Sequence, residues 1–128
     1  MHIMVEIREI IVLYRKGLIT MAAILFTVSD SFDARMIAST HAYQRLAERR
    51  VNVLKVRSMI EENFDILDEE VDSGFDVMLR SERFNISVCF SVAYNEKDDV
   101  LELSLITAIN DIAFIPRSKE EYTHVYDI

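Results

Sequence analysis

A strict alternation of apolar and polar positions runs from Phe84 to Tyr94 and constrains the fold of this chain more than any other feature. Successive side chains of a β-strand point to opposite faces, so this period places every second residue on one buried face. The same period recurs in Phe75–Leu79 and in Leu101–Leu105, and the turn Asn95–Asp99 separates the last two strand-like segments. Alternation of this kind predicts antiparallel strands that are covered on a single side.

The residues before this region favour helices. Apolar side chains at helical spacing occur in residues 3–14, and Gly17, typical of a helix end, follows them. Leu18–Val28 is a short apolar run that fits a buried strand or a buried helix equally well. Residues 32–50 fit a helix in which His41, Arg45 and Arg49 lie opposite a face made of Met36, Thr40, Tyr43 and Ala47. Asn52 suits the N-cap of a further helix with the buried stripe Val53, Val56, Ile60 and Phe64.

Helices followed by strands predict an α+β fold with N-terminal helices and a four-stranded antiparallel sheet. Residues 64–70 are the candidate for an additional edge strand. We expect one domain over residues 1–128, with a helix and an apolar segment in 1–30 and a helical hairpin in 31–64. The sheet then occupies residues 65–109, and an irregular tail occupies residues 110–128.

The composition narrows the class of protein. Two glycines and one proline exclude low-complexity architectures and a Gly-rich phosphate loop. The only cysteine, Cys89, cannot form an internal disulfide, which favours a reducing, cytoplasmic setting. The longest apolar run is too short to cross a bilayer and no secretory cleavage site follows it, so we expect no membrane partner. Met4 and Met21 are alternatives to Met1 as the translation start.

Metal and thiol chemistry receive no support from the sequence. The three histidines are scattered and form no metal-binding pair. The acidic stretch Asp65–Asp72 lacks the glycine and the spacing of a calcium loop, so we expect a solvated loop there. Cys89 lies within an apolar strand, where a thiol is usually inert. The expectation is therefore a protein without metal or cofactor.

The charge is distributed unevenly along the chain. The formal net charge is −8, which by itself argues against a nucleic-acid partner. Residues 1–60 carry nine Arg and Lys against five Asp and Glu, a net charge of +4, whereas residues 61–128 carry five against 17, a net charge of −12. The first half can thus provide a local anion-binding surface, and the second half suits a basic partner.

His41 and Arg45 form the one pair of residues with a physical case for catalysis. Residues four positions apart on a helix project side by side. A histidine base can remove the proton of an RNA 2′-hydroxyl, while an arginine stabilises charge on the attacked phosphate. This spacing is equally compatible with two side chains on an ordinary solvated helix face.

The segment Ser39–Val51 has the pattern His-Ala-x-x-Arg-x-x-x-Arg-x-Val. It resembles a helix of small RelE-superfamily domains and the Ser-x-His-x-x-x-Arg helix of RegB-type phage endoribonucleases, and Leu105–Ile109 resembles the strand that closes their sheet. The resemblance implies a RelE/RegB-like fold and metal-independent RNA cleavage that leaves a 2′,3′-cyclic phosphate. It places His41 at the catalytic histidine position and Arg45 at the arginine one turn later.

The remaining site predictions follow from this nuclease hypothesis. We expect RNA contacts from four further arginines: Arg49, Arg50, Arg80 and Arg83. RegB-like enzymes carry a second histidine, but this chain has none between His41 and His124, so the general acid is unassigned. Candidates for it are Tyr122, His124 and Tyr126.

Two functions from different classes compete on these grounds. The first is a metal-independent endoribonuclease that cleaves mRNA, in association with the ribosome or free, as a phage or toxin module. The alternative is an acidic immunity, antitoxin or anti-defence protein that binds a basic protein through Asp65–Asp72, Asp98, Asp99 and the tail, without chemistry. A further alternative is a phage accessory protein that forms homo-oligomers through a sheet edge.

Overall fold

The computed structural model describes residues 9–15, 18–114 and 123–128, with side chains from residue 22 onward. Seven strands and three helices are present in these ranges. In chain order they are β1 (Glu9–Arg15), β2 (Leu18–Ser29), β3 (Asp33–Ser39), α1 (Thr40–Glu48), α2 (Val53–Glu62), α3 (Phe64–Glu70), β4 (Asp76–Ser81), β5 (Ile86–Asn95), β6 (Val100–Ile109) and β7 (Thr123–Asp127).

The strands form one mixed sheet in the order β1-β2-β3-β6-β5-β4-β7. It consists of two antiparallel meanders, β1-β2-β3 and β4-β5-β6, joined by the parallel pair β3 and β6, in which Ala34 to Ile37 pair with Leu101 to Ser104. β7 pairs in parallel with β4 at the opposite edge. Because β3 and β6 run in the same direction, the turns that precede them lie at the same end of the sheet.

The three helices cover one face of the sheet and bury the main core against it. The pleat turns Met36, Phe90 and Leu103 toward the helices, and all three are fully buried. The helices contribute Leu46, Met59, Ile60 and Leu67 to the same core. α1 packs on β2, β3 and β6, while α2 packs on β2.

The other face of the sheet is partly buried, whereas the alternation predicted strands covered on a single side. Ile37, Met78 and Cys89 are buried although their neighbours in sequence point toward the helices. Ala22 and Ile24 form a second small cluster with Ile37. In Val77–Leu79 of β4 and Ile86–Phe90 of β5, the residues on both faces of the sheet are therefore buried.

The prediction of a four-stranded antiparallel sheet after N-terminal helices is wrong. The sheet has seven strands in the described ranges and contains two parallel pairs. The predicted helix in residues 3–14 is a strand over Glu9–Arg15, and residues 1–8 lie outside the described residues. β-branched residues in this segment favour a strand once β2 offers it a complete antiparallel ladder. The ambiguous run Leu18–Val28 lies within strand β2.

The predicted helix over residues 32–50 is correct only from Thr40 onward. Asp33–Ser39 is strand β3, where Ala34, Met36 and Ala38 are buried at alternate positions. Ser39 caps α1 by accepting a hydrogen bond from the amide of Ala42. α1 consequently buries Ala42 and Leu46 rather than Thr40 and Ala47. The predicted helix phase was wrong because it was counted from Met36, which lies in a strand.

The short helix α2 has the predicted N-cap and buries Val53, Val56 and Ile60 as predicted, but Phe64 belongs to α3. Two later segments differ from their predictions altogether. Asn52 caps α2 through hydrogen bonds from the amides of Leu54 and Lys55 to its side chain. Residues 64–70, expected to be an edge strand in a solvated acidic stretch, form helix α3 and bury four side chains: Phe64, Ile66, Leu67 and Glu70. The tail expected to be irregular contains strand β7.

Leu67→Ala tests the packing of α3. Leu67 is 1% exposed whereas Leu54, on α2, is 71% exposed, so the same substitution at Leu54 is a matched control. We expect Leu67→Ala to lower the free energy of unfolding by about 2–5 kcal/mol and Leu54→Ala to change it by less than about 0.5 kcal/mol. Urea denaturation measures both, and equal effects would contradict this placement of α3.

Candidate functional site

The predicted catalytic pair lies on α1 without an assembled site around it. His41 and Arg45 are both exposed, one helical turn apart. Neither side chain forms a hydrogen bond or an ion pair with another residue in the described ranges. The prediction that both lie on one helix is confirmed, but no side chain among the described residues orients either of them for chemistry.

Arg49 and Arg50 form the end of α1 and connect it to β6. The Arg49 guanidinium donates to Thr107 Oγ1 at 2.9 Å and to the carbonyl of Ala108 at 3.1 Å. Arg50 adopts a positive φ of 53°, and the side-chain amide of Asn110 donates to the carbonyls of both arginines. Arg49 therefore has a structural partner, while the Arg50 side chain is exposed.

The other two predicted RNA-binding arginines lie with acidic partners on or beyond β4. Arg80 forms a bidentate ion pair with Asp127, in which Nε and Nη2 donate to the two carboxylate oxygens at 2.7 and 3.1 Å. Arg83 lies 3.2 Å from Glu62 and stacks over the ring of Phe84. α1 packs on β2, β3 and β6, whereas Arg80 and Arg83 lie on β4 and just after it, two strands away from β6, so the structure does not bring these two arginines to the helix of His41.

The candidate acid–base residues His124 and Tyr126 meet at a buried carboxylate. Glu70 is 4% exposed and accepts a hydrogen bond from Tyr126 Oη at 2.5 Å. The Nδ1 atom of His124 lies 2.7 and 2.9 Å from the two carboxylate oxygens, and the Ser73 hydroxyl lies 2.7 Å from Oε2. The ring of His124 stacks on Phe75 at 4.1 Å. The third candidate, Tyr122, lies outside the described residues.

The hydrogen bonds at Glu70 decide its ionisation. Burial raises the pKa of the Glu70 carboxyl, but hydrogen bonds from Tyr126, Ser73 and His124 outweigh this effect and leave the pKa below its ordinary value. The hydrogen bond to Glu70, together with burial, raises the pKa of Tyr126 to about 12. Glu70 is thus an anion that holds the Tyr126 proton, which makes Tyr126 a poor general acid.

A crevice with a volume of about 740 Å³ opens where the two turns that precede β3 and β6 approach the end of α3. Five exposed aspartates surround it: Asp30, Asp33, Asp68, Asp72 and Asp99. Phe32, Val71, Leu101 and Tyr94 provide apolar and aromatic surface between them. Within the described ranges, no Lys, Arg or His side chain forms an ion pair with any of these aspartates. We call this feature the acidic crevice.

Arg35 fixes one wall of the acidic crevice from the opposite face of the sheet. Its guanidinium contacts Glu102 at 2.7 Å and Asp98 at 2.9 Å, which ties the turn before β6 to β3. Burial lowers the pKa of Arg35, but the hydrogen bonds and charges of Glu102 and Asp98 raise it further than burial lowers it. Arg35 thus pairs with both Asp98 and Glu102 and offsets one of their two negative charges, while Asp99 lines the crevice and accepts a hydrogen bond from Tyr94.

Part of the crevice is evident from the sequence. The runs Asp65–Asp72 and Asp98–Asp99 are conspicuously acidic, and Asp68, Asp72 and Asp99 of these runs line the crevice. Asp30 and Asp33 are not predictable in the same way, because two isolated aspartates beside a turn carry no signal. The prediction of a solvated loop is wrong for Glu70, because an acidic residue that follows Ile66 and Leu67 by one helical turn can lie on their buried face.

The structure also bears on the predictions of an inert thiol and of no metal site. Cys89 is fully buried, and burial together with the nearby charge of Asp76 raises its pKa to about 12, so the thiolate needed for reactivity does not form near neutral pH. The described ranges contain no group of three or more His, Cys, Asp or Glu side chains arranged to hold a metal ion.

Comparisons with known proteins yield no relative. No protein-family model matches the chain, and neither the curated proteins nor the solved structures contain a match. The resemblance to RelE- and RegB-type domains therefore remains a prediction. Among the described residues, no helix has the length and apolar character needed to cross a membrane.

Arg49→Ala distinguishes a structural arginine from an RNA-binding one. Loss of its charged hydrogen bonds to Thr107 and Ala108 should lower the free energy of unfolding by about 1–3 kcal/mol. Arg45→Ala on the same helix is the control, and we expect it to change stability by less than about 0.5 kcal/mol. Equal unfolding midpoints for both variants in urea would contradict the structural role of Arg49.

Glu70→Gln tests the buried carboxylate through its pH dependence. A folded-state pKa below the unfolded value stabilises the fold above the unfolded pKa, and this stabilisation is lost as pH falls through the folded pKa. We expect the free energy of unfolding of wild type to exceed that of Glu70→Gln by roughly 1.5–3 kcal/mol near pH 7. This difference should shrink as the pH falls below the ordinary pKa range of a glutamate carboxyl. Glu69→Gln, at the exposed neighbouring position, is the control. A difference that persists unchanged in acid would show that Glu70 is not held as an anion.

Proposed function

We propose that this protein is a non-catalytic binding protein whose acidic crevice accepts a positively charged segment of another protein. The convergence of both acidic runs on one cavity supports this function more than any other observation. Asp68 and Asp72 come from the first run and Asp99 from the second, and Asp30 and Asp33 complete the rim. Residues more than 60 positions apart in sequence thereby contribute to one local negative field.

The size and the lining of the acidic crevice suit an arginine- or lysine-bearing segment. A volume of about 740 Å³ lies in the range of cavities that enclose small ligands or a few side chains. The aliphatic stem of a long cationic side chain can lie on Phe32, Val71 and Leu101, while its charged end reaches the carboxylates. The planar guanidinium of arginine can also stack on Tyr94 and pair with a carboxylate through two hydrogen bonds.

The charge of the whole molecule favours the same kind of partner. Residues 61–128 carry a net charge of −12, and complementary charge increases the rate at which a basic protein finds its docking surface. Immunity proteins, antitoxins and anti-defence inhibitors that cover a basic nuclease would use this chemistry. Their targets bind RNA or DNA through the same cationic groups that an acidic surface can occupy.

The endoribonuclease hypothesis stays a separate prediction with a direct test. Its base and its phosphate-binding group would be His41 and Arg45, on a helix whose residues do not line the acidic crevice. The crevice itself would repel an RNA backbone. Incubation of the purified protein with mRNA decides the matter, because cleavage that both His41→Ala and Arg45→Ala abolish would replace the binding function proposed above.

Asp68→Asn together with Asp72→Asn tests the binding function. Affinity for a synthetic Arg-Ser repeat peptide, measured by fluorescence anisotropy, should fall about tenfold, since each exposed charge pair contributes roughly 0.5–1 kcal/mol. Asp65→Asn together with Glu69→Gln is the matched control, because it also removes two charges from exposed residues of the same run that do not line the crevice. An equal loss in the control would indicate binding through overall charge alone.

Salt dependence and a second peptide complete this test. Raising NaCl from about 0.01 M to about 1 M shortens the Debye length from about 30 Å to about 3 Å and should strongly weaken the complex. A Glu-Ser repeat peptide of the same length should not bind. Binding of both peptides with equal affinity, or of neither, would refute the proposed function.

A further inference from the structure

The C-terminal strand β7 is attached to the turn that follows α3 by a compact set of contacts. We call this set the β7 clip; its members are Glu70, Ser73, Phe75, His124 and Tyr126. His124 and Tyr126 both bind the carboxylate of Glu70, and the ring of His124 also stacks on Phe75 with an angle of 16° between the planes. β7 therefore contacts the chain on both sides of the short stretch Val71–Gly74.

That stretch forms one wall of the acidic crevice. Val71 and Asp72 line the cavity, and they lie between the residues that the β7 clip holds. The turn is closed internally by hydrogen bonds from the Ser73 amide to the Glu70 carbonyl and from the Phe75 amide to Ser73 Oγ. Both bonds depend on Ser73, whose hydroxyl lies 2.7 Å from the Glu70 carboxylate. The position of the wall is thus linked to the same carboxylate that anchors β7.

Besides the β7 clip, the half-buried side chain of Val71 restrains this wall by packing against the main core. Gly74 has a φ of +76°, and a Cβ at that position would meet nothing within 4 Å, so no neighbour packs against the turn there. The apolar anchors of α3, Phe64, Ile66 and Leu67, precede the wall. On its other face β7 is held through the ion pair of Asp127 with Arg80, which does not touch the α3 turn.

We propose that β7 acts as a conformational device that holds the α3 wall of the acidic crevice in its binding position. This inference rests on the proposed function and names how the same site is regulated. Docking of β7 fixes Val71 and Asp72 through Glu70, and release of β7 from Glu70 loosens them. Since coupling between two sites is reciprocal, a cationic segment bound in the crevice also strengthens the docking of β7.

Hydrogen exchange tests this coupling without any partner. The amides of Val71 and Ser73 donate to the carbonyls of Leu67 and Glu70 and report on the order of the wall. In Tyr126→Phe, and more strongly in Tyr126→Phe with His124→Gln, we expect these two amides to exchange about tenfold faster. Asp127→Asn is the matched control on β7 and should leave both rates within about twofold of wild type. Unchanged exchange at Val71 and Ser73 in the folded double variant would overturn the coupling.

Titration of the same full-length proteins with the Arg-Ser repeat peptide separates this inference from the proposed function. The double variant should bind the peptide about tenfold more weakly than wild type, although every crevice residue is retained, and Asp127→Asn should bind like wild type. Faster exchange with no peptide binding by wild type would refute the proposed function but not the coupling. Faster exchange with undiminished peptide affinity would overturn the regulatory role of β7.

Discussion

The parallel pairing of β3 with β6 is the constraint on which the rest of the structure depends. It joins two antiparallel meanders into one sheet, and a parallel pair needs a long crossover connection, which α1, α2 and α3 help to provide. Ala34 and Met36 pair with Leu101 and Leu103 beneath the helices, while the ion pair of Arg35 with Glu102 stabilises the junction on the other face. The same pairing brings two acidic turns to one end of the sheet.

The acidic crevice is therefore a product of topology as much as of composition. Asp98, which pairs with Arg35, supports the turn before β6, whereas the aspartates that face the cavity have no ion pair within the described residues. Mutual repulsion among the latter is a cost that folding must offset, and a cationic partner would relieve it. The buried Glu70 differs from these aspartates, because hydrogen bonds from Tyr126, Ser73 and His124 compensate its burial. Its carboxylate therefore anchors β7 and is not available to a partner. In the proposed function, the surface carboxylates would therefore bind the partner, whereas the buried carboxylate of Glu70 holds β7 in place.

Local signals predicted the elements whose determinants are local. Asn52 marks the start of α2 because its side chain caps the adjacent amides, and the alternation in β5 and β6 follows from the pleat of the strands themselves. The elements that were predicted wrongly depend on partners distant in sequence or in space. Residues 9–15 form a strand beside β2, and residues 123–127 form a strand beside β4. The acidic crevice could not be predicted from the sequence for the same reason, because Asp33 and Asp99 are brought to the same end of the sheet by the parallel pairing of β3 with β6.

Mapping the bound peptide by NMR tests the central claim most directly. On titration with the Arg-Ser repeat peptide, the account predicts that backbone amide shifts concentrate at the three crevice segments: residues 30–33, 68–72 and 94–101. His41 and Arg45 should remain unperturbed, because α1 residues do not line the acidic crevice. Shifts that spread evenly over all exposed acidic residues, or that are centred on α1, would contradict it.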